Sequence, residues 1–305
     1  MASASTRTES APSLRGIFLM IFAVAMFSCL DATAKYLTRT VATADVAWIR
    51  YATHVIYLSL FWRVWQDLTP FRTSKPILQI VRGFTLLGST FFNFWAIQYL
   101  QLAQTSAISF AAPLVVTALA GPLLGEKVGV RRWGAVCVGF VGVLIVTRPG
   151  TGAMHWAALL SVCSMLCYAA YTIMTRRMHR TETPSAMIML SGMVGAVALA
   201  PYAPSAIASV EGWLWILALL TGAFGVIGHG ALVMAYKTSN ASVLAPFAYT
   251  QIVWMILWGY LVFGDLPDTW TIVGTGVIAG SGLYILHRER VRGQQLAAKP
   301  PTSVQ

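Results

Sequence analysis

The chain has 305 residues, of which 57% are hydrophobic and only 10% are charged. A soluble globular protein carries about 25% charged residues, so this chain has too few charges to cover the surface of a water-soluble fold of its size. The composition excludes a cytosolic enzyme, a secreted disulfide scaffold and a disordered protein. The apolar residues instead fall in blocks of about 17 to 22, which is long enough for a helix to cross a lipid bilayer.

Ten apolar blocks follow a polar tail over residues 1–13, which we expect to be disordered. Backbone polar groups find no hydrogen-bond partners in lipid, so each block is predicted to be a membrane-spanning helix. The predicted fold class is therefore an all-α polytopic membrane protein. The ten predicted spans are Leu14–Leu37, Val46–Trp65, Ile77–Ile97, Ala103–Gly125, Trp133–Thr147, Trp156–Thr175, Ser185–Tyr202, Trp213–Ala235, Ser242–Phe263 and Trp270–His287.

The basic residues predict how these spans are oriented. If the N terminus is cytoplasmic, only Lys35, Arg39, Arg50 and Arg148 of the 21 lysines and arginines fall towards the outer side. The other 17 lie at the inner side, as the positive-inside rule expects. This predicts cytoplasmic N and C termini and an even number of spans. The same distribution accounts for the net charge of +11, so we expect no nucleic-acid partner.

The sequence carries no motif for catalysis or for metal binding. It has no P-loop, no nucleophile–base set and no metal-ligand spacing, and its four cysteines all fall inside apolar blocks. We therefore expect no enzyme activity, no metal and no cofactor. Any transport would be secondary or facilitated, because no nucleotide site is present.

The two halves of the chain are related by an internal repeat. Residues 124–126 (Leu-Gly-Glu) resemble residues 263–265 (Phe-Gly-Asp) at an offset of 139, and Phe110 and Tyr249 match at the same offset. Five spans in each half is an odd number, so the two repeats would have opposite orientations, as in many secondary transporters. The predicted divisions are a first five-helix repeat over 14–147, a linker over 148–155, a second repeat over 156–287 and a cytoplasmic tail over 288–305.

Three short stretches resemble the drug/metabolite transporter superfamily, and within it the bacterial EamA-type proteins. They are Phe110-Ala-Ala-Pro113-Leu114, Leu123-Leu-Gly-Glu126 and Arg131-Arg132-Trp133. The resemblance covers about residues 14–288. It implies a pore between the two halves, lined by the first, third, fourth, sixth, eighth and ninth spans. Members of this group carry amino acids, vitamins, nucleotide-like metabolites and other small organic solutes.

Polar and aromatic stripes occur on spans that the resemblance assigns to the pore. Serine and threonine in such stripes also hold membrane helices together, and His229 is either a proton carrier or a neutral hydrogen-bonding residue. We expect the stripes to line a cavity. The predicted lining residues are Asn93, Trp95, Gln98, Ser106, Ser109, Tyr168, Tyr171, His229, Tyr249 and Gln251.

A charged group is predicted in the outer third of the membrane. Asp31 and Lys35 lie one turn apart on the first span, and Arg50 lies at a similar depth on the second. An arginine inside a spanning helix costs about 2.5–3.5 kcal/mol, so it normally has a partner. Two interpretations are open: a structural ion pair of Asp31 with Lys35 or Arg50, or an outer gate that contacts a charged substrate group.

The predicted function is secondary transport of a small organic metabolite across a bacterial inner membrane by alternating access. Aromatic residues near the expected cavity suit planar solutes, so uptake of riboflavin or an adenosyl compound such as S-adenosylmethionine is compatible. The alternatives are an exporter of amino acids or related metabolites and a membrane scaffold or sensor without transport. The expected partners are the solute and the lipid bilayer. Glycine-rich runs on the fifth and tenth spans are predicted to be packing surfaces, and a homodimer through them is a further expectation. The glycines are Gly134, Gly139 and Gly142 on the fifth span and Gly274, Gly276, Gly280 and Gly282 on the tenth.

Overall fold

The computed structural model describes residues 14–61, 66–124, 129–150, 154–178, 181–239 and 241–297. All regular secondary structure in these ranges is helical. The α-helices are α1 Leu14–Leu37, α2 Thr43–Phe61, α3 Pro76–Tyr99, α4 Leu102–Ser109, α5 Ala112–Leu124, α6 Val130–Thr147, α7 Ala157–Met178, α8 Pro184–Ala198, α9 Ala203–Ser209, α10 Leu214–Thr238, α11 Ala241–Ala248, α12 Gln251–Trp258 and α13 Thr269–Ala297.

These helices account for most of the predicted spans. By length and mean hydropathy, eight helical segments of the described chain can cross a membrane, or nine if the bent pair α8 and α9 counts as one span. The structure is therefore that of a polytopic helical membrane protein. The segment α2, which matches the second predicted span, does not qualify because buried polar side chains such as Asp45, Arg50 and His54 lower its hydropathy.

Two predicted spans are interrupted near a proline. The fourth span breaks between α4 and α5, just before Pro113, and the ninth breaks between α11 and α12, after Pro246. Proline has no backbone N–H and disturbs the preceding turn, which explains helix breaks at these positions. The ninth span then ends in a short π-helical segment, Gly259–Phe263.

Packing joins helices from both halves of the chain. Along their lengths, α1 packs on α10 and α3 packs on α7, while α2 packs on α10 and α3 on α8. The helices α6 and α13 form a separate pair at the side of this group, with α4 and α5 touching them. The buried Arg50, His54 and Arg82 lie in the first group of helices, where the candidate site is found.

Glycines allow the close approach of α6 and α13. A Cβ added at Gly142 would lie 3.0 Å from the carbonyl oxygen of Gly274 and 2.7 Å from a side-chain carbon of Ile278. A Cβ at Gly134, on the same helix, would meet no atom within 4 Å. Gly142 is thus a packing position, whereas Gly134 lies on an open surface.

We expect Gly142→Val to destabilise the protein by about 1–3 kcal/mol, because the new side chain must displace backbone as well as a buried isoleucine. Gly134→Val places the same side chain on the same helix without a steric conflict, so it is the matched control. Thermal unfolding of both variants in detergent measures the difference. Equal melting temperatures for the two variants would contradict this account of the α6–α13 contact.

Candidate functional site

A small polar cavity lies at the centre of the bundle, where α2, α3, α7, α8 and α10 meet. Its volume is about 10 Å³, enough for one water molecule. The rings of His54 and His229 face each other across it at 5.9 Å. The lining residues are Arg50, Tyr51, His54, Leu86, Tyr171, Ile188, Gly192 and His229.

This cavity gathers three of the predicted site residues, Arg50, Tyr171 and His229. The sequence reasoning missed His54, which is only 4% exposed. Its position one turn after Arg50 was the available signal, because both side chains then share one face of α2. The resemblance did not assign the second span to the pore, so this face was not considered.

Asp31 lies beside this cavity and joins α1 to α3. Its carboxylate accepts a hydrogen bond of 3.0 Å from the side-chain amide of Asn93. The charge of Arg50 acts on this carboxylate, although the two residues do not form a salt bridge. Asp31 and Asn93 are therefore brought together, with Arg50 as a more distant electrostatic partner.

Arg82 is the most extensively hydrogen-bonded charged residue near the cavity, and it is 1% exposed. Its Nη2 donates to the hydroxyl of Tyr171 at 2.9 Å, and the guanidinium lies 4.6 Å from the centre of that ring. Further donations reach Thr175 Oγ1 and Gln79 Oε1, the carbonyl of Met187 and the hydroxyl of Ser191. Arg82 thereby ties α3 to α7 and α8 and fixes Tyr171 at the cavity wall.

The arginine network continues to a carboxylate outside the spans. Gln79 accepts from Arg82 and donates to Glu182 in the turn between α7 and α8. Burial alone would raise the pKa of Glu182, but hydrogen bonds from Ser74, Thr73 and Gln79 outweigh that effect and hold the pKa below its usual value. Glu182 therefore stays ionised and anchors this network.

We expect Glu182→Gln to lower stability at neutral pH by about 1–3 kcal/mol, the range for hydrogen bonds to a charged group. Because the folded-state pKa is depressed, this contribution is complete above the unfolded-state pKa and is lost as the pH falls through the folded-state pKa. Unfolding of parent and variant between pH 3 and 7 measures the difference. The exposed Glu211→Gln is the control; a constant difference across this range would contradict the prediction.

The end of the bundle that carries Lys35, here called the Lys35 end, is closed by a group of contacts. Lys35 Nζ binds Asp265 Oδ2 at 3.0 Å and the carbonyl oxygen of Leu100 at 2.8 Å. Phe263 lies between two cations, with Lys35 at 4.8 Å and Arg39 at 4.9 Å from its ring centre. These contacts connect α1 to the α3–α4 corner and to the end of the ninth span.

This arrangement differs from the predicted ion pair of Asp31 with Lys35. The lysine side chain reaches away from its own helix to Asp265, because a four-carbon side chain near a helix end extends to the nearest polar surface. Gln98 also lies at this end and donates to the carbonyl of Thr38. Trp95 packs edge-on against Trp156 at 5.9 Å, at the start of α7. The counterpart of Asp265 in the first repeat, Glu126, lies outside the described residues.

The remaining predicted residues of the fourth and ninth spans do not line the central cavity. Tyr249 packs edge-on against Phe110 at 4.9 Å, beside α13. Ser109 donates within its own helix to the carbonyl of Thr105. Ser106 is buried on α4, and Gln251 is partly buried at the start of α12.

Tyr168 lies next to the cavity-lining Tyr171 on α7. It stacks on Tyr171 with 6.0 Å between ring centres and is 46% exposed. Tyr236 on α10 is 51% exposed and interacts electrostatically with Tyr168. The helices α7 and α10 make no extensive contact along their lengths, which the structure describes in full. The space between them, with Tyr168 on one helix and Tyr236 on the other, is called the aromatic cleft. We call the end of the bundle that carries Tyr236 the Tyr236 end.

An all-helical bundle with apolar outer surfaces and a charged, aromatic centre is that of a multi-pass membrane protein. The EamA-like transporter family model matches residues 14–148 and again 155–286. The chain belongs to the EamA-like transporter family. It is a small-metabolite transporter of the bacterial inner membrane, and its relatives are named as transporters of small metabolites.

The chain is similar along nearly its whole length to several characterised bacterial transporters. It is 27% identical to a riboflavin transporter of Rhizobium johnstonii, covering 97% of this chain and 99% of the relative. It is 26% identical to an S-adenosylmethionine uptake transporter of Rickettsia felis, covering 91% and 94%. A pseudopaline exporter of Pseudomonas aeruginosa is 24% identical, and the match covers 90% of this chain and 96% of the relative.

One solved structure, described only as the crystal structure of a protein, shares the fold. It superposes with a TM-score of 0.61 over 90% of this chain and 98% of its own, at 16% sequence identity. This similarity supports the architecture and carries no information about the solute.

Proposed function

We propose that this protein imports a planar aromatic metabolite of the flavin or adenosyl class by secondary, alternating-access transport. In this proposal ten spans form two inverted five-helix repeats, with both termini in the cytoplasm. The solute passes between the repeats and reaches the cytoplasm at the Tyr236 end. The Lys35 end faces the periplasm.

The observation that carries this proposal is an asymmetry in helix packing. Under the inverted repeat, α1 and α3 of the first half correspond to α7 and α10 of the second. The helices α1 and α3 contact each other, with hydrogen bonds from Asn93 to Asp31 and from Gln98 to Thr38, whereas α7 and α10 make no extensive contact. A transporter of this design alternates by closing one such pair and opening the other. The described conformation therefore supports a state that is closed outside and open to the cytoplasm.

The aromatic cleft supports the choice of solute. Tyr168 and Tyr236 expose ring surface on opposite walls, and Tyr171 continues this surface to the central cavity. Aromatic faces bind planar rings by offset stacking and cations by cation–π attraction. The named functions of the Rhizobium and Rickettsia relatives, riboflavin transport and S-adenosylmethionine uptake, fit this chemistry better than amino-acid export does.

Uptake by purified protein in proteoliposomes tests the proposal. Radiolabelled riboflavin and S-adenosylmethionine are compared with a panel of amino acids, with and without an imposed proton gradient. We expect saturable uptake of at least one aromatic compound, and its loss when Tyr168 and Tyr236 are both replaced by alanine. Transport of amino acids alone would contradict the proposal, and absence of all flux would favour the scaffold or sensor alternative.

Reporter fusions test the proposed orientation. Alkaline phosphatase is active only outside the cytoplasm, so a fusion after Gln305 should be inactive and one at Gly150 should be active. Activity at Gln305 would contradict both the orientation and the even number of spans. The physical reason is that loops rich in lysine and arginine stay in the cytoplasm, and 17 of the 21 basic residues lie on the side that also carries the C terminus.

Dimerisation is a further part of the proposal. A Cβ at Gly276 or Gly280 would meet no atom within 4 Å, so this small-residue face of α13 is free for close approach of a second helix. If it forms a dimer, Gly276→Leu with Gly280→Leu converts the protein to a monomer in detergent. Light scattering that shows one unchanged species in parent and variant would reject this interface.

A further inference from the structure

The centre of the bundle holds more positive than negative charge. Arg50 and Arg82 are both buried there, with 6% and 1% of their surface exposed. Asp31 is the carboxylate whose charge acts on Arg50 from within the spans, while the chain of hydrogen bonds from Arg82 ends at Glu182 outside them. Buried charge without a compensating charge is strongly unfavourable, so a further negative group fits this centre.

Arg50 and His54, which share one face of α2, each have a buried nitrogen atom without a hydrogen-bond partner among the described residues. These atoms are Nε of Arg50 and Nδ1 of His54. The guanidinium of Arg50 instead lies 4.5 Å from the centre of the Tyr51 ring. A buried donor without an acceptor costs about 1–3 kcal/mol, and more when it is charged.

Both unpartnered atoms belong to residues that line the same cavity. The neighbouring charged and titratable groups are Arg82 on α3, Tyr171 on α7 and His229 on α10, and Arg50 also interacts electrostatically with Asp31 on α1. None of the groups lining the cavity is a carboxylate. The cavity has room for one water-sized group, such as a single oxygen atom of a solute, and Tyr171 at its wall stacks on Tyr168.

We propose that this cavity receives one oxygen atom of an acidic group of the transported solute, a carboxylate or a phosphate, and that Arg50 and His54 bind this group. The inference rests on the proposed function and narrows its solute class to aromatic compounds with an acidic group. The body of the solute then stacks on Tyr171 and Tyr168, and its acidic group supplies the acceptor and the negative charge that the centre lacks. Arginine suits this role because its donors match the two oxygens of such a group.

Matched ligand pairs test this assignment. S-adenosylmethionine is compared with its decarboxylated form, and flavin mononucleotide with riboflavin, by calorimetry on the whole protein in nanodiscs. We expect the parent to bind the acidic member of at least one pair tenfold or more tightly. In Arg50→Gln this preference should fall to about twofold or less, and Arg50→Lys should restore part of it. The exposed Arg72→Gln removes the same charge elsewhere and should leave the preference intact.

Arg50→Gln alone leaves Asp31 without its counter-charge and can fail to fold for that reason. The variant Asp31→Asn/Arg50→Gln removes both charges together and keeps the test usable in that case. It should also bind both members of each pair with similar affinity. A parent without any preference for acidic members, or a preference that survives the loss of Arg50, would overturn the assignment. A clear preference for the acidic ligands without uptake in proteoliposomes would reject the proposed function and leave the oxyanion site standing. Uptake of riboflavin without any preference for acidic ligands would support the proposed function and reject the oxyanion site.

Discussion

Replacing Arg82 by glutamine is expected to destabilise the protein by about 3–5 kcal/mol, the largest effect of any single change considered for this chain. The guanidinium makes hydrogen bonds to α3, α7 and α8 at once, with donor–acceptor distances of 2.8–3.2 Å. A glutamine is too short to reach them all. The loss would leave the carbonyl of Met187 and the hydroxyl of Tyr171 with fewer donors in a water-poor interior.

Thermal unfolding of purified protein and the yield of monodisperse protein measure this effect. Arg82→Lys is an informative second variant: it retains the charge but places its donors on one atom, so we expect an intermediate loss. Arg72→Gln is the surface control and should unfold like the parent. A melting temperature of Arg82→Gln within a degree of the parent would show that the network does not stabilise the bundle.

Replacing Asp265 by asparagine is expected to shift the protein towards a state that is open at the Lys35 end. The change removes the counter-charge of Lys35 but keeps the size of the side chain. A hydrogen bond to a charged group contributes about 1.5–3 kcal/mol, which corresponds to roughly a 10- to 100-fold change in a conformational equilibrium. Lys35 also donates to the carbonyl oxygen of Leu100 at the α3–α4 corner, and the variant keeps this contact, so the change tests the ion pair alone.

Labelling of the native Cys29 reports this opening. Cys29 lies on α1 about 9 Å below Lys35, at 1.5 Å per residue, and is partly buried. With the other three cysteines replaced by serine, a membrane-impermeant maleimide added from the Lys35 side should label Asp265→Asn at least tenfold faster than the parent. Asp268→Asn breaks another ion pair, with Arg148, and is the matched control. Equal labelling rates in parent and Asp265→Asn would exclude a closing role for this pair.

Local sequence properties determined most of the helical architecture. Long apolar blocks must be helical in lipid, and the boundaries of α1 coincide with the first predicted span. The prediction was less accurate where polar side chains or proline occur within a span. The second span has too many buried polar groups to register as a membrane helix by hydropathy, and the fourth is broken ahead of Pro113.

Glycine spacing gave a partly correct account of helix packing. The sequence predicted packing surfaces on the fifth and tenth spans, and Gly142 and Gly274 do bring α6 and α13 together. It did not distinguish these glycines from Gly276 and Gly280, which face open space. Which glycine meets a neighbour depends on how the two helices are rotated, and spacing within one helix does not contain that information.

The sequence by itself determined that this is a basic, multi-span membrane protein of the EamA type with charged residues inside its spans. Only the tertiary structure decided how those residues pair. Lys35 meets Asp265 from the other half of the chain instead of Asp31 one turn away, and Arg50 shares a cavity with His54 and His229. The reason is physical: the sequence of a membrane-spanning helix shows which of its residues are polar, but partners at a sequence separation of 230 are determined by helix rotation and packing against the other half of the chain.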